Sequence, residues 1–413
     1  MRVGAPGGGS EPGSVEPALG GLDVSRVLVG SVVFAVAVAA FARIPLLPAI
    51  GDDLSLSTGE IGLLTTAFGL GRLLTDLPAG RLAGAVSPRL ALAGAGAGLA
   101  LACGLLAGAG SFAQALVASG LIGCASALAN TTGMYAFATA TGAERRGASM
   151  AIYTTALMSG QIFGPALGGA LGSLAGWRPA MGVAAGIGLV VMLLCLALRQ
   201  RERRRVVRAT RSAPGPGRDP ARVDRGPTTP PPTRSELLAL AAAPFATFFA
   251  MAGLTQTLVP LIGDGELELG ASTIGLAIGA GAAARFASAW ITGVGSDRLS
   301  RKVVLVPSLL AMALGAGCLA LPPGVAGWTA AIGLIALGSS GISVAAAALA
   351  DRVAPAELGH RLGMFRLVGD VGLVAGPIVA GFLYQAAGPG PAGGACAAVL
   401  LAAALAAGLW VRE

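Results

Sequence analysis

Residues 160–169 read GQIFGPALGG and place a proline and four glycines inside an otherwise apolar run. A second stretch, GLVAGPIVAG at residues 372–381, lies 212 positions further on and repeats the spacing of the proline and of three of these glycines. Glycine and proline both disfavour the interior of a helix, so two such stretches need a common reason. Their recurrence in a chain of 413 residues predicts a protein built from two related halves.

The composition is that of an integral membrane protein. Hydrophobic residues make up 54% of the chain and charged residues 12%, about half the charged fraction of an average soluble domain. The first apolar run begins at Val27 and has no small-residue cleavage site, so we expect it to be retained as a helix. Residues 1–26 before it are polar and rich in Gly and Pro, which predicts a disordered tail.

Twelve apolar runs are long enough to cross the ~30 Å of hydrocarbon in a bilayer. The predicted fold class is therefore an all-α integral membrane protein with twelve transmembrane helices, in two bundles of six at residues 27–198 and 237–413. We number the runs spans 1 to 12, with expected boundaries 27–50, 58–79, 89–109, 112–140, 148–174, 177–198, 237–262, 272–294, 303–321, 326–350, 362–387 and 392–411.

Residues 199–236 separate the two sets of six spans. This segment holds eleven arginines, four acidic residues and many prolines, which is typical of a polar linker. Its charge fits a topological anchor on the cytoplasmic side, which we favour, or a polybasic patch for anionic lipids.

Charge alternates between successive connections of the spans. One set of connections is basic, and the other is acidic or uncharged apart from Arg178. Because basic connections stay in the cytoplasm, this pattern predicts a multi-pass plasma-membrane protein with both termini cytoplasmic. The basic set carries Arg81, Arg89, Arg145, Arg146, Arg298, Arg301, Lys302, Arg352, His360 and Arg361, and the acidic set carries Asp52, Asp53, Asp264, Glu266 and Glu268.

Sequence motifs in both halves add to this pattern. GVGSDRLSRK at residues 293–302 follows span 8, and GRLAGAVSPR at residues 80–89 is a degenerate copy after span 2, with Gly84 in place of an aspartate. Together with the six-plus-six arrangement and the basic linker, these motifs resemble the major facilitator superfamily, whose halves are parallel repeats. The opening stretch resembles the antiporter signature of its twelve-helix drug:proton exchangers. The resemblance covers residues 27–411.

The resemblance implies that spans 5 and 11 line the interface between the halves. Glycines four residues apart share one helix face and allow a neighbouring backbone to approach closely, so we expect a hinge or packing surface there. A role in helix packing alone is the alternative. The residues of this surface are Gly160, Gly164, Pro165, Gly168, Gly169, Gly372, Gly376, Pro377 and Gly381.

Charges inside spans are costly and usually functional. Arg72 and Asp76 lie four residues apart on span 2, and Arg366 and Asp370 do the same on span 11. We call these four residues the charge cluster and expect it to latch the cytoplasmic gate in the outward-facing state; two separate pairs within helices are the alternative. Further candidates for gating or coupling are Arg285 on span 8, which should face span 5, and Asp297, Arg298 and Arg301 in the motif after span 8.

The resemblance implies a substrate cavity between spans 1, 4, 7 and 10. Arg43 could contact an anionic substrate there or extend to the outer surface. Ser119 occupies the position at which many drug exchangers of the superfamily carry an arginine linked to proton coupling. The substrate-binding candidates are Arg43, Asn130, Thr131, Tyr135, Phe248, Gln256 and Ser340.

These residues predict a transporter. The chain has one histidine, no metal-ligand cluster and no phosphate-binding loop, so we expect no enzyme activity, no cofactor and no metal. The favoured function is proton-coupled efflux of small hydrophobic or amphipathic compounds by a monomer in the lipid bilayer, with no nucleic-acid partner. The alternative is proton-linked or facilitated uptake of a small organic anion or nutrient, and a non-transporting receptor or scaffold is a third possibility.

Overall fold

The computed structural model describes residues 24–139, 146–197, 233–321, 324–353 and 355–411, and these residues form helices without any strand. The twelve spans are all present. Nine are single helices, and spans 1, 7 and 10 are interrupted. The single helices are Thr58–Ala85, Pro88–Ala107, Phe112–Thr139, Arg146–Ala175, Trp177–Ala197, Ala271–Arg298, Arg301–Ala320, Pro355–Ala387 and Pro389–Trp410.

Spans 1, 7 and 10 are each divided into shorter helical segments. Their sequences give only a weak signal for where these breaks occur. Span 1 runs Val24–Ala42, turns through a 3₁₀ segment at Ile44–Leu46 and ends as Leu47–Asp53. Span 10 consists of Val325–Ser339 and Ile342–Ala350. Span 7 consists of Arg234–Ala250, a π-helical stretch Met251–Leu258 and Val259–Gly265. The apolar runs alone did not indicate these breaks, and π-helical stretches frequently mark functional sites.

Ten of the described spans are long and apolar enough to cross a membrane. The other two are Thr58–Ala85 and Arg146–Ala175, which have 28 and 30 residues and are therefore long enough but less apolar. Each of these two helices packs both against spans of its own half and against a span of the other half.

The two halves have the same internal arrangement. In the first half span 1 packs on span 5, span 2 on span 4 and span 3 on span 6. The second half repeats these contacts as span 7 on span 11, span 8 on span 10 and span 9 on span 12. The halves meet where span 5 packs on span 8 and span 2 on span 11. The prediction of two related six-helix units is in keeping with this arrangement.

The beginning of span 7 lies inside the segment that we predicted to be a linker. Residues 1–23 and 198–232 lie outside the described residues, so the predicted tail and most of the predicted linker do too. The last residues of that segment instead form the first turn of the helix that starts at Arg234. Thr233 caps this helix, since its hydroxyl oxygen accepts a hydrogen bond from the backbone N–H of Glu236 at 3.3 Å.

The bundle has two faces that we name by the chain ends. The spans alternate in direction, so residues 24 and 411 lie on one face, the terminal face, together with connections 86–87, 299–300 and 351–353. The opposite, distal face carries connections 54–57, 108–111 and 266–270.

Each half has its own buried apolar core, and the two cores exchange one residue at the distal end of the interface. Ile44 of span 1 is 2% exposed and belongs to the core of the second half. Leu261 of span 7 is 5% exposed and belongs to the core of the first half. The interrupted distal ends of spans 1 and 7 therefore cross from one half into the other.

Four glycines bring the backbones of the two halves together near the distal face. Gly169 of span 5 meets Gly275 of span 8, and Gly62 of span 2 meets Gly381 of span 11. A Cβ on any of the four would overlap a backbone atom of the opposite half, at 3.0 Å or less, so no other residue fits without separating the helices. We call this contact the distal seam, and in this structure it is closed.

Candidate functional site

A cavity lies between the two halves, on the terminal side of the distal seam. Its wall is mostly aliphatic, with a few polar groups that converge from spans 5, 7, 8 and 10. The wall consists of Phe41, Ile44, Gln161, Pro165, Met251, Thr255, Gln256, Ile278, Gly281, Ala282, Arg285, Ile332, Ile335, Ala336 and Ser339. An apolar pocket with a small number of placed polar groups is the usual form of a small-molecule site.

The π-helical stretch of span 7 supplies three of the cavity residues, Met251, Thr255 and Gln256. The hydroxyl of Thr257 in the same stretch donates to the carbonyl of Ala252, five residues earlier, at 3.1 Å. Gln256 is 6% exposed, and its Oε1 has no hydrogen-bond partner among the described residues. Buried amide oxygens are normally paired, so Gln256 has capacity for an added donor.

Arg285 contributes the only charged side chain to the described wall of the cavity. Its Nη2 donates to Oε1 of Gln161 on span 5, and Nη1 and Nη2 lie 3.6 Å from the sulfur atoms of Met251 and Met158. Arg285 Nε is buried and has no partner in the described part of the chain. The expectation that Arg285 faces span 5 is met, and its partner there is an amide instead of an acid.

The cavity is small in this conformation. Its free volume is about 50 Å³, whereas pockets for drug-sized molecules have roughly 300–1,000 Å³. Since the distal seam is closed, a ligand of that size would require the cavity to widen toward the terminal face.

Of the seven substrate-binding candidates, the structure places Gln256 in the cavity wall. Span 4 was expected to contribute to the wall, and this was wrong for the present conformation, in which spans 5 and 8 take its place. Phe248 packs against span 11 at Gly369, Ser340 bonds the carbonyl of Leu337 in its own helix, and Tyr135 is 39% exposed. Asn130 is buried, and its backbone carbonyl accepts from Tyr153.

Arg43 lies inside the first half. It is 1% exposed, and its guanidinium carbon lies 4.3 Å from the ring centre of Phe68 on span 2. Arg43 Nε and Nη1 have no hydrogen-bond partner among the described residues. The alternative that Arg43 extends to the outer surface was therefore wrong, and in this conformation span 1 presents Phe41 and Ile44 to the cavity instead.

The structure brings the charge cluster together across the two halves. Nη2 of Arg366 lies 3.4 Å from Oδ2 of Asp76, and this ion pair joins span 11 to span 2. Arg72 interacts electrostatically with both aspartates, and Asp370 is 6% exposed. This ion pair joins two helices and not two residues of one helix, and a unit formed by all four residues stays a prediction.

Hydrogen bonds fix the cluster to span 4. Asp76 Oδ1 accepts from the hydroxyl of Thr131 at 2.9 Å, and Arg72 Nη1 donates to Ser126 at 3.1 Å. Thr131, which we expected in the cavity, therefore belongs to this cluster. The ion pair is present in a conformation whose distal seam is closed, and its role as a latch stays a prediction.

The glycines of spans 5 and 11 lie on two faces of each helix. One face packs within a half: Gly164 against Val38 of span 1, and Gly376 against Phe249 of span 7. Gly160, Gly168 and Gly372 continue this face. The other face packs between halves at Gly169 and Gly381, where the carbonyls of Pro165 and Pro377 meet Gly275 and Gly62. Only the second face belongs to the interface between the halves.

The motif after span 8 connects to the end of span 10. Arg301 Nε lies 3.0 Å from Oδ2 of Asp351, and Nη1 of Arg301 donates to Ser296 at 2.7 Å. Arg298 is exposed, and the side chain of Asp297 lies outside the described residues.

Sequence reasoning missed two sets of residues. Arg352 Nε lies 2.7 Å from Oε1 of Glu236, with side chains 7% and 2% exposed, and this pair ties span 10 to the start of span 7. The second is Gln161, the partner of Arg285. Gln161 stands in the opening stretch itself as its one polar side chain, and this was the available signal.

A sequence model of the Major Facilitator Superfamily matches residues 29–338 and 245–413. Among characterised proteins, the class G tetracycline resistance protein of Vibrio anguillarum is 27% identical over 274 residues, which is 65% of this chain. The chain spans 65% of the length of that relative.

Solved structures share the fold at low identity. The inward-facing structures of a bacterial homologue of the human lysosomal transporter Spinster match with TM-scores of 0.72 when occupied and 0.73 when unoccupied, at 15% identity. They cover 93% and 94% of this chain and 95% and 96% of their own. The human organic anion transporter MFSD10 (TETRAN) matches with a TM-score of 0.63 at 16% identity, over 92% of this chain and 98% of its own.

Proposed function

Because this chain belongs to the major facilitator superfamily, we propose that it is a secondary active transporter that exports small hydrophobic or amphipathic compounds in exchange for protons. The compound binds in the cavity between the halves, and the cavity opens alternately to the two faces of the membrane. The cavity wall carries the proposal, since it combines aliphatic side chains with the polar groups of Gln161, Gln256 and Arg285.

Similarity to the tetracycline resistance protein supports export. That relative is named for resistance, and its 27% identity extends over 65% of this chain. The closed distal seam supports alternating access, because its contacts are backbone to backbone and lie at one face only. Two conformations of similar energy are the requirement for such a cycle.

The charge cluster is our candidate for the proton pathway. Asp370 is 6% exposed and lies beside Arg366 and Arg72, and carboxylates inside spans are typical of proton relays. Protonation of Asp76 or Asp370 would weaken the contact between spans 2 and 11. Proton binding would in this way change the energy of the interface between the halves.

We propose that the terminal face is cytoplasmic and that the protein is a monomer in the plasma membrane. The arginines of the terminal connections and of residues 199–236 support this orientation through the positive-inside rule. Arg178 on the distal face is the exception, and its ion pair with Asp53 at 2.7 Å offsets its charge.

Transport in oriented vesicles tests the function. Purified protein in inverted and in right-side-out vesicles is supplied with a panel of amphipathic dyes and an imposed pH gradient. We expect uptake into inverted vesicles that are acidic inside, and collapse of the pH gradient should abolish it. Uptake that is independent of the gradient in both orientations would contradict proton-coupled export.

Uptake of a small organic anion is the second candidate function. No acidic side chain occurs in the described wall of the cavity, whereas Arg285 does. In the same assay this function predicts flux into right-side-out vesicles that are alkaline inside.

A further inference from the structure

The guanidinium of Arg285 has too few acceptors for its charge. It has five N–H donors and needs oxygen acceptors to satisfy them. The described residues provide one oxygen, that of Gln161, and the sulfur atoms of Met251 and Met158, which are weak acceptors. Arg285 Nε has no partner in this part of the chain.

The charge of Arg285 also has no counter-ion in the cavity wall formed by the described residues. An arginine stays protonated in proteins, and a buried charge without a counter-ion is strongly unfavourable. The described wall of the cavity contains no carboxylate. The other acceptor without a partner in the wall, Gln256, is a neutral amide. A ligand with an acid group would supply both the missing charge and the missing oxygens.

The bond from Arg285 to Gln161 crosses between the halves. Arg285 belongs to span 8 of the second half, and Gln161 belongs to span 5 of the first. The same two helices form one part of the distal seam, where Gly279 faces the carbonyl of Ile162 and Gly275 faces Gly169. A change in the partner of Arg285 therefore acts directly on the contact between the halves.

We propose that Arg285 binds the acid group of an amphipathic anion, and that this anion displaces the amide oxygen of Gln161. The proposal rests on the proposed transport function and names the substrate class of its cavity. Displacement breaks a hydrogen bond between spans 5 and 8, so loading of the site loosens the interface that must open. The aliphatic wall of Ile278, Ile332 and Ile335 receives the apolar body of the anion.

The free volume of the cavity agrees with a ligand whose acid group binds at Arg285 and whose apolar body lies elsewhere in the cavity. About 50 Å³ beside Arg285 accommodates an acid group but not a complete amphipathic molecule. The rest of the ligand must enter as the cavity widens toward the terminal face. In this structure the amide oxygen of Gln161 occupies the position at Arg285 that the acid group would take.

Three probes with one ring system and different head groups test the proposal: 2-naphthoate, 2-naphthamide and 2-naphthylmethylammonium. Equilibrium binding to purified full-length protein in detergent is measured for each. We expect wild-type protein to bind 2-naphthoate about tenfold more tightly than 2-naphthamide, since charge-assisted hydrogen bonds are stronger than neutral ones. Arg285→Gln should remove this preference, and Arg285→Lys should retain part of it.

Two substitutions of Gln161 should act in opposite directions. Gln161→Glu provides a permanent carboxylate for Arg285, so 2-naphthoate binding should fall to the level of 2-naphthamide. Gln161→Ala removes the competing oxygen, so 2-naphthoate should bind more tightly than to wild-type protein. Gln114→Glu on the exposed distal end of span 4 is the matched control and should change neither. Binding of 2-naphthamide and a monodisperse elution profile report that each variant is folded.

Several results would overturn the proposal. One is that wild-type protein shows no saturable binding of 2-naphthoate. Another is that Arg285→Gln still prefers 2-naphthoate to 2-naphthamide. A third is that Gln161→Glu and Gln161→Ala change the affinity for 2-naphthoate in the same direction. Export of amphipathic dyes by Arg285→Gln in the vesicle assay, at the wild-type rate and without anion preference, would leave the proposed function intact. If wild-type protein shows no flux driven by the pH gradient, the proposed function itself is contradicted.

Discussion

The ion pair between Arg366 and Asp76 connects the two halves at the scale of single residues, and its energetics can be measured. Asp76 is 13% exposed, Arg366 is 47% exposed, and Asp76 also accepts from Thr131, so removal of Asp76 takes a counter-ion and a hydrogen-bond acceptor away from this contact. We expect Asp76→Ala and Arg366→Ala each to lower the initial transport rate roughly tenfold. The double variant should lose much less than the product of the two single effects, because the pair acts as one unit.

The pair of Asp53 and Arg178 is the matched control for this cycle. It is also an arginine–aspartate pair, with its atoms 2.7 Å apart, but both side chains are more than 40% exposed on the distal face. Exposed pairs contribute about 0–1 kcal/mol, so the same cycle there should leave transport nearly unchanged. Multiplicative effects of Asp76→Ala and Arg366→Ala would mean that the cluster does not work as a unit.

A second residue-scale prediction concerns the stability of the second half. Arg352 and Glu236 form a buried ion pair, so Arg352→Ala or Glu236→Ala leaves one charge buried, at a cost of about 3–5 kcal/mol. We expect a clear fall in the midpoint of thermal unfolding in detergent for each single variant. The double substitution Arg352→Met with Glu236→Leu should restore most of the midpoint, since it removes both charges. A single variant as stable as wild type would contradict this account.

The sequence allowed only some of these residues to be predicted. Arg72, Asp76, Arg366 and Asp370 were identifiable because a charge inside an apolar run is rare and their spacing is helical. Gln161 was missed because a neutral polar residue carries no such signal. For Arg43 the sequence left the cavity and the outer surface open, and in this conformation it lies at neither, since one residue of rotation about span 1 decides whether a side chain faces the cavity or the helices behind it. Such a rotation depends on the break at Ile44–Leu46 and not on periodicity.

At the scale of helices, the two glycine faces of span 5 should respond differently to substitution. Gly169→Val places a branched side chain against the backbone of span 8 in the other half, so the distal seam cannot close. We expect a folded, monodisperse protein without transport. In Gly164→Val the new side chain overlaps the backbone of Val38 on span 1, in the same half. We therefore expect a lower yield of folded protein.

Fluorescence size-exclusion profiles and vesicle transport separate the two outcomes. Gly182→Val is a suitable control, because a Cβ on Gly182 meets no other atom within 4 Å. If Gly169→Val transports at the wild-type rate, the distal seam does not need to close in the cycle. The positions of helices followed from apolar runs, but the assignment of each glycine to a face could not, since it requires the packing partners.

At the scale of the whole molecule, orientation in the membrane can be tested by labelling. We expect Gly215→Cys, in the arginine-rich segment between the halves, to be protected from an impermeant thiol reagent in intact cells. Ser111→Cys on the exposed distal connection should react under the same conditions. Protein without the introduced cysteines controls for the five native ones. Reaction at position 215 and protection at position 111 would reverse the assignment of the faces.

The architecture of two halves was predictable, because glycines and charges recur at the same spacing in both halves. The conformation, with its distal seam closed, was not predictable from the sequence. Every state of an alternating-access cycle has the same sequence, and only differences of a few kcal/mol decide which is populated. The closed distal seam is therefore information that comes from the structure alone.

The exchange of Ile44 and Leu261 between the two cores has a consequence for biogenesis. The distal end of span 1 leaves the ribosome long before span 7 does, and Ile44 belongs to a core made of residues from 239 onward. At about 5–20 residues per second, synthesis of the roughly 220 residues between Ile44 and the end of span 7 takes about 10–45 s. During that interval Ile44 belongs to a newly made first half whose partner core, in the second half, has not yet been synthesised. We therefore expect the newly made first half to remain a client of the membrane-insertion machinery until translation of the second half is well advanced.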